Sequence, residues 1–400
     1  MTATPSPPTQ ARAVSRRRST PQRKEPSLAT WRAGVHILGT RLWCDALRRH
    51  DVCFLSSAEV TLARRSLGRT ATPTATTATL LCTETTLKLR RALSPTDPLH
   101  LLPDANVLLS PMGRPFHFGS LRLELFPSGQ QPGAASLWLK LPTGQTVIYG
   151  GQPVAQTAPG AQEQSMQLRA AETLILSAPV AALGVPLPPQ AEALEQLQQL
   201  ILTSSADSAV TIVLCSATVA AQQLWPALQQ VTTLLPDAQL LCHGEILRTL
   251  QTYRALGLLA PKVHAPQEAH EPAPLPSLYR TGRVLQAKTV LLWPAQVPLP
   301  RSQRLAGPGA ARVLLSDSTA LAPTMVARTK AALPSWATLS GAIALADSLD
   351  LPGLLRYVLD SEAKQVWLTS GYSEAVAAAL MTHHVAVAPL GPPRQLALFG

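Results

Sequence analysis

From about residue 180 to residue 310, short apolar runs alternate with segments of helical periodicity, and this alternation restricts what the chain can fold into. Apolar runs buried on both faces, each followed by an amphipathic helix, produce an α/β unit with a mainly parallel sheet. The spacing predicts helices over 191–202, 219–235 and 244–258 and strands over 210–215, 239–242, 289–293 and 312–315, with a proline-rich loop at 261–278. Before this block, strand signals dominate: 34–39, 52–56, 106–109, 116–118, 121–126, 136–141, 145–149 and 173–177. The Pro142-Thr-Gly144 turn is expected to close a hairpin between two of them. Helical text is read at 58–67, and a Thr-rich stretch, 73–84, is expected to end in a helix. Toward the C-terminus the pattern is helix 351–358, strand 365–368, helix 373–381 and strand 385–389. The whole suits one domain inserted in another. Its expected parts are an arm over 1–29, a first part over 30–180, an insert over 181–310 and a closing part over 311–400.

Composition narrows the class. Hydrophobic residues make up 46% of the 400, enough for a sizeable core, and no apolar run approaches the roughly 18 residues of a membrane span. The five cysteines (Cys44, Cys53, Cys82, Cys215, Cys242) are scattered, with no CxxC pair, and the N-terminus lacks the apolar segment of a signal peptide. Reduced cysteines, no membrane partner and a cytoplasmic location are therefore expected.

The net charge is +11. In the first 30 residues Arg12, Arg16, Arg17, Arg18, Arg23 and Lys24 face only Glu25, in a Pro/Ser/Thr-rich setting that cannot pack and reads as disordered. A second basic group comprises Arg48, Arg49, Arg64, Arg65, Arg69, Lys88, Arg90 and Arg91. Arg16, Arg17, Arg18, Arg23, Lys24, Arg64 and Arg65 are the candidates for phosphate contacts with nucleic acid.

Recognisable catalysis is missing from the residues themselves. None of the nine histidines stands in HxH, HxxxH or HExxH spacing, and no GxSxG, P-loop or GxGxxG occurs. His383 and His384 are adjacent, so their side chains diverge.

An ordered series of short motifs nevertheless resembles the metallo-β-lactamase-fold nucleases of the β-CASP type, in particular the bacterial DNA-ligase-associated exonucleases (mRNA 3′-end processing exonuclease-like). Gly39-Thr-Arg-Leu-Trp-Cys-Asp45 resembles the family's strand ending in aspartate. Phe54-Leu-Ser-Ser-Ala-Glu-Val-Thr-Leu-Ala-Arg64 stands where the family has Thr-His-x-His-x-Asp-His. Thr70 to Ala78 is similar to an Ala-Thr-Pro-Glu-Thr stretch, Phe126 to Ala135 to Pro-Ala-Gly-His-x-x-Gly-Ser-Ala, and Ile148-Tyr-Gly-Gly151 to Tyr-Thr-Gly-Asp. Leu174 to Pro179 resembles the strand ending in an acidic residue, and Val213 to Leu224 the helix start carrying Gly-Arg-x-Gln. Asp347 to Leu355 is similar to Asp-His-Ala-Asp-x-x-Gly-Leu, and Val366 to Tyr372 to Val-x-x-Thr-His-Gly-Tyr. The resemblance covers about residues 30 to 400. It implies a four-layer αββα metallo-β-lactamase fold with an inserted α/β β-CASP domain.

The departures bear on function. In the family two zinc ions, held by a His/Asp cluster, supply the hydroxide that attacks phosphorus. The resemblance puts the ligand positions on Ser57, Glu59, Thr61, Leu62, Gln130, Gly151, Ser177, Ser348 and Ser370, and the family's arginine on Ala221. Asp350 and the non-ligand Asp45 remain. Neutral serine, threonine and leucine are poor or impossible zinc ligands, and no shift of register restores a histidine. The expected protein is a pseudoenzyme with no catalytic residue, metal or cofactor, related to DNA repair and binding nucleic acid. The alternatives are a scaffold subunit that pairs with an active nuclease, a ligase or a helicase, and a residual metal-dependent phosphodiesterase using Glu59, Asp350 and Asp45.

Overall fold

The computed structural model describes residues 28–46, 50–60, 79–93, 106–155, 165–207, 209–259, 274–306, 310–316, 320 and 322–391. The chain is mixed α/β, built on three sheets. The first has six short strands in chain order: β1 (Ala29–Trp31), β2 (Val35–Ile37), β3 (Leu42–Cys44), β4 (Val52–Phe54), β5 (Thr79–Cys82) and β6 (Val107–Leu109). Its first two pairings are antiparallel and the rest parallel. Between β5 and β6 runs α1 (Glu84–Leu93), capped by Thr83, whose Oγ1 accepts from Thr86 N at 3.1 Å. The Thr-rich stretch expected to end in a helix does reach one at Glu84, but its described residues Thr79–Cys82 first form strand β5. The short apolar run Leu80-Leu81-Cys82 suits a buried strand, and Thr83 is the cap of the helix that follows.

The second sheet begins with an antiparallel meander: β7 (Phe116–Phe118), β8 (Leu121–Pro127), β9 (Ala135–Lys140) and β10 (Thr146–Gly151). The expected Pro142–Gly144 turn joins β9 to β10, with Gly144 at φ +90°. Strand β11 (Thr173–Ser177) then pairs parallel to β10.

The chain now leaves this sheet. Helix α2 (Gln190–Ala206) is followed by β12 (Thr211–Cys215) and a helical run in which α3 (Ala217–Val219) and α4 (Trp225–Leu234) are joined by a π-type turn, Ala220–Leu224. Next come β13 (Gln239–Cys242), α5 (Gly244–Ala255), β14 (Ser277–Leu278), β15 (Thr289–Pro294), β16 (Ala311–Ser316), α6 (Pro323–Ala332) and β17 (Ala337–Ile343). These six strands form the third sheet, entirely parallel, in the order β14-β13-β15-β12-β16-β17. Helix α7 (Leu351–Asp360), β18 (Gln365–Ser370), α8 (Glu374–Met381) and β19 (Ala386–Pro389) complete the chain, and β18 pairs with β11 to extend the second sheet.

The sheet partners move one expected boundary. Strands β16 and β17 hydrogen-bond into the third sheet, so the change of sheet comes after Ile343 and not at 310/311. Of the arm expected over 1–29, residues 1–27 lie outside the described residues, and Ala29 already opens β1. Thr61 to Leu67, read as helical, also lie outside them.

The apolar pattern explains the packing. Inward residues of the first sheet (Val35, Ile37, Leu42, Phe54, Leu81) share one core with those of the second (Leu123, Leu125, Leu137, Leu139, Val147). The outer face of the second sheet packs Ile148, Leu174 and Leu368 under α7 and α8 through Leu354, Val358, Val376 and Leu380. On the third sheet one face is covered by α2, α4 and α5. The other face, with Ile212, Leu291 and Val313, is covered by the segments around Tyr279, Leu285 and Leu305 and by α6. Among the described residues no helix is long and apolar enough to cross a membrane. The five cysteines are unbridged, and burial pushes the Cys82 and Cys242 thiols up to about 12.

Candidate functional site

Strand β4 ends at Phe54, and the chain turns through Leu55 to Val60 over the ends of the first two sheets. Three groups fix that turn. Leu55 N donates to Leu81 O at 2.9 Å, Arg90 Nη1 of α1 donates to Ala58 O at 2.8 Å and to Val60 O, and Asp45 takes Ser56. Asp45 lies just past β3 at φ +46°. Its Oδ1 accepts from Ser56 N at 2.8 Å, and its Oδ2 accepts from Ser56 Oγ at 2.5 Å and Tyr149 OH at 2.9 Å. Burial raises the Asp45 carboxyl above its ordinary value, and the Ser56 and Tyr149 bonds with the nearby Arg90 charge oppose that rise.

Two other loops converge on the same turn. The β8–β9 connection delivers Ala135 N to Ser56 O at 2.8 Å, and β10 ends at Gly151, at φ +61°. A Cβ on Gly151 would lie 2.8 Å from Ser56 Oγ, so only glycine fits against this turn. Next to it Gln152 Nε2 donates to Asp347 O at 2.9 Å, bringing in the segment before α7. Ser177 is the register partner of Ser370 across β11 and β18, and Ala178 N donates to Ser370 O. From the third sheet, the π-type turn sends Gln223 Nε2 to Ala346 O at 2.8 Å and Gln222 Nε2 to Tyr253 OH at 3.1 Å.

The described sequence-predicted ligand positions therefore fall in one region, but their chemistry is thin. Ser57 and Ser348 are each 2% exposed, Gln130 and Ser177 are half-buried, Ser370 is exposed, and Ala221 is buried in the core. Asp350 caps α7, its Oδ1 accepting from Gly353 N at 2.9 Å and its Oδ2 from Leu187 N at 2.8 Å. Its role here is structural. Glu59 is exposed on this turn, beside the convergence of these loops that makes up the recess of the candidate site. Desolvation first, and the Asp347 charge second, push its carboxyl up to about 7.

A two-zinc centre does not fit these residues. Among the described residues no three His, Cys, Asp or Glu come together to hold a metal ion. The trio Glu59, Asp350 and Asp45 is not assembled either, because both aspartates are occupied by hydrogen bonds elsewhere. Thr61 and Leu62 lie outside the described residues, as do Arg16, Arg17, Arg18, Arg23, Lys24, Arg48, Arg49, Arg64, Arg65 and Arg69. Arg90 leaves the basic group: it is 6% exposed and donates to backbone carbonyls. Lys88 pairs with Glu84 at 2.7 Å.

Sequence reasoning missed several residues of the recess. Gln131 is 4% exposed and neither atom of its amide finds a partner among the described residues, as is also true of Oγ of Ser348, a position the sequence did single out. Thr83 and Thr86 both donate their hydroxyls to Gly133 O at 2.7 Å, fastening the β8–β9 loop to α1. A Thr-x-x-Thr before a helical segment is a capping signal that could have revealed the first of these. No protein-family model and no curated protein matches this chain.

Proposed function

We propose that the chain is a catalytically inactive homologue of the β-CASP exonucleases, with a four-layer αββα frame and an inserted β-CASP-like domain, that binds nucleic acid at its emptied recess. The frame is supported by two mixed sheets sharing a core, by helices packed on the outer faces, and by a parallel sheet threaded between the adjacent strands β11 and β18. The observation that carries the functional reading is the convergence of the site's loops on the Ser56 turn. Its described ligand positions gather around Ser56–Gly151 and Gln152–Asp347, yet what they present is serine, glutamine and glycine, with Glu59, whose carboxyl burial and the Asp347 charge push up to about 7. Such a lining cannot activate water through a metal, and it repels a phosphate far less than a set of ionised carboxylates would.

The test combines metal analysis of protein purified without chelator with mobility-shift titration of DNA against salt. Metal well below one equivalent, no phosphodiester hydrolysis and a binding constant that falls as salt rises are expected. About one equivalent of zinc or manganese with hydrolysis would overturn the reading, and so would the absence of salt-dependent binding.

A further inference from the structure

Charge is unevenly distributed beyond the recess. From Pro272 to Ala346 the chain carries eight lysines and arginines and one acidic residue, Asp317, which lies outside the described residues. Two of the eight have carboxylate partners: Lys288 Nζ is 4.0 Å from Asp237, and Arg312 Nη2 is 2.6 Å from Asp207. Arg280, Arg283, Arg301, Arg304, Arg328 and Lys330 are exposed, and none of them forms an ion pair among the described residues.

The fold places these six on one side of the third sheet. Leu285 and Tyr279 are buried on that side, and Leu299, Leu305 and Met325 pack against the same cluster, so the segments carrying the arginines turn their apolar residues inward. The two arginine-bearing segments are fastened to each other. Leu285 N donates to Arg304 O at 2.9 Å, and Ala306 N donates to Leu285 O at 2.8 Å. Gln303 lies between them, its Nε2 donating to Arg283 O at 2.5 Å and its Oε1 accepting from Tyr279 OH at 2.5 Å. Trp336 Nε1, just beyond α6, donates to Pro300 O at 2.9 Å, which ties the Arg328 and Lys330 helix to the same surface. The opposite face of the sheet is taken up by α2, α4 and α5. The cationic face is thus exposed, held by backbone and side-chain amide bonds, and these six cations have no acidic partner among the described residues.

We propose that this outer face of the third sheet is a binding surface for the phosphate backbone of a nucleic acid. It rests on the nucleic-acid reading above but adds contacts outside the recess. Five of the six cations are arginines, whose planar guanidinium groups suit bidentate phosphate contact. Unpaired exposed cations give up no protein partner on binding, and the release of counterions from the polyanion drives association. A membrane fits less well. The large apolar side chains exposed here are Leu278 and Val284, 41% and 37% exposed, and they stand on an edge strand and a turn, not on an amphipathic helix.

The experiment follows the anisotropy of a labelled DNA duplex titrated with the full chain across a KCl series. It compares the wild type, the combined R280Q/R283Q/R301Q/R304Q variant and, for the recess, Gln130→Glu. Because the four arginines are exposed and unpaired, the combined variant should melt like the wild type. It should lower the slope of log K against log salt by about 3 to 4 and weaken binding correspondingly. An unchanged slope and affinity in that variant would overturn the inference. If Gln130→Glu weakened binding in that case, the recess reading would stand alone. A wild type that fails to bind the duplex removes both proposals, and a wild type that binds phosphatidylserine vesicles but no DNA overturns this one in favour of a lipid surface.

Discussion

The most informative single residue is Glu59, because its environment makes a prediction with a definite sign. Its folded pKa, about 7, lies above the ordinary 4.5, so the folded chain holds the proton more tightly than the unfolded chain does. The penalty for ionisation is therefore absent below about pH 4.5, grows through the interval up to about 7, and is complete above it. Glu59→Gln should raise the melting temperature at pH 8 and leave it nearly unchanged at pH 5. Since the carboxylate keeps solvent access, screening reduces the gain to about 1 kcal/mol. Thermal melts at the two pH values check this, and an equal effect at both would mean that the proton is not involved. Asp45 and Asp350 behave differently for a physical reason: both are held by two or more donors and serve the turn and the helix, not the recess.

At the scale of elements, the region stands or falls with the loop between β8 and β9. Gly133 sits at φ +80°, and a Cβ there would come within 2.7 Å of Thr85 Cβ and Thr86 N. Gly133→Ala should therefore cost clearly more than the roughly 1 kcal/mol of backbone strain, about 3 kcal/mol in all. Gly144→Ala, at φ +90° in the β9–β10 turn with nothing within 4 Å of the added Cβ, should cost only the backbone part. Urea unfolding of the two variants measures the difference, and equal losses would show that α1 does not brace the loop. The same elements show what sequence can reveal. Strands at Phe116–Phe118, Thr173–Ser177 and Gln239–Cys242 lie where apolar runs put them, because each is a short run bounded by turns. Helix α1 was legible only at its start, Glu84, because Leu87 and Leu89 face two different cores, which blurs the 3.6 period. Strands β3 and β5 are too short to show alternation, and β17, with Ser340 and Gly341, lacks an apolar run altogether. The recess was legible as a set of motif positions. Gln131 and the Thr83–Thr86 clamp were not, because burial of a polar side chain against a distant loop leaves no periodic trace.

At the scale of the whole molecule, the question is whether the inserted sheet is an independent body. The packing argues otherwise through α1. Leu87 of that helix belongs to the first-sheet cluster with Leu55, Leu80 and Cys82, whereas Leu89, fully buried, belongs to the third-sheet cluster with Ile246, Leu250 and Tyr253 of α5. Ala58, in the turn over the recess, joins the second of these clusters, and Arg90 between the two leucine faces holds that turn by its carbonyls. One helix thus carries adhesion between the two parts and the shape of the recess. Leu89→Ala removes a buried side chain at this seam and should cost about 2 to 5 kcal/mol. If the parts are coupled, backbone hydrogen exchange should quicken in β12 and β15 of the third sheet as well as in β4 and β5 of the first, since both report on the shared seam. If exchange quickens only in β4 and β5, the inserted sheet is stable on its own, and the recess is then a hinge line between two bodies instead of a wall built by both.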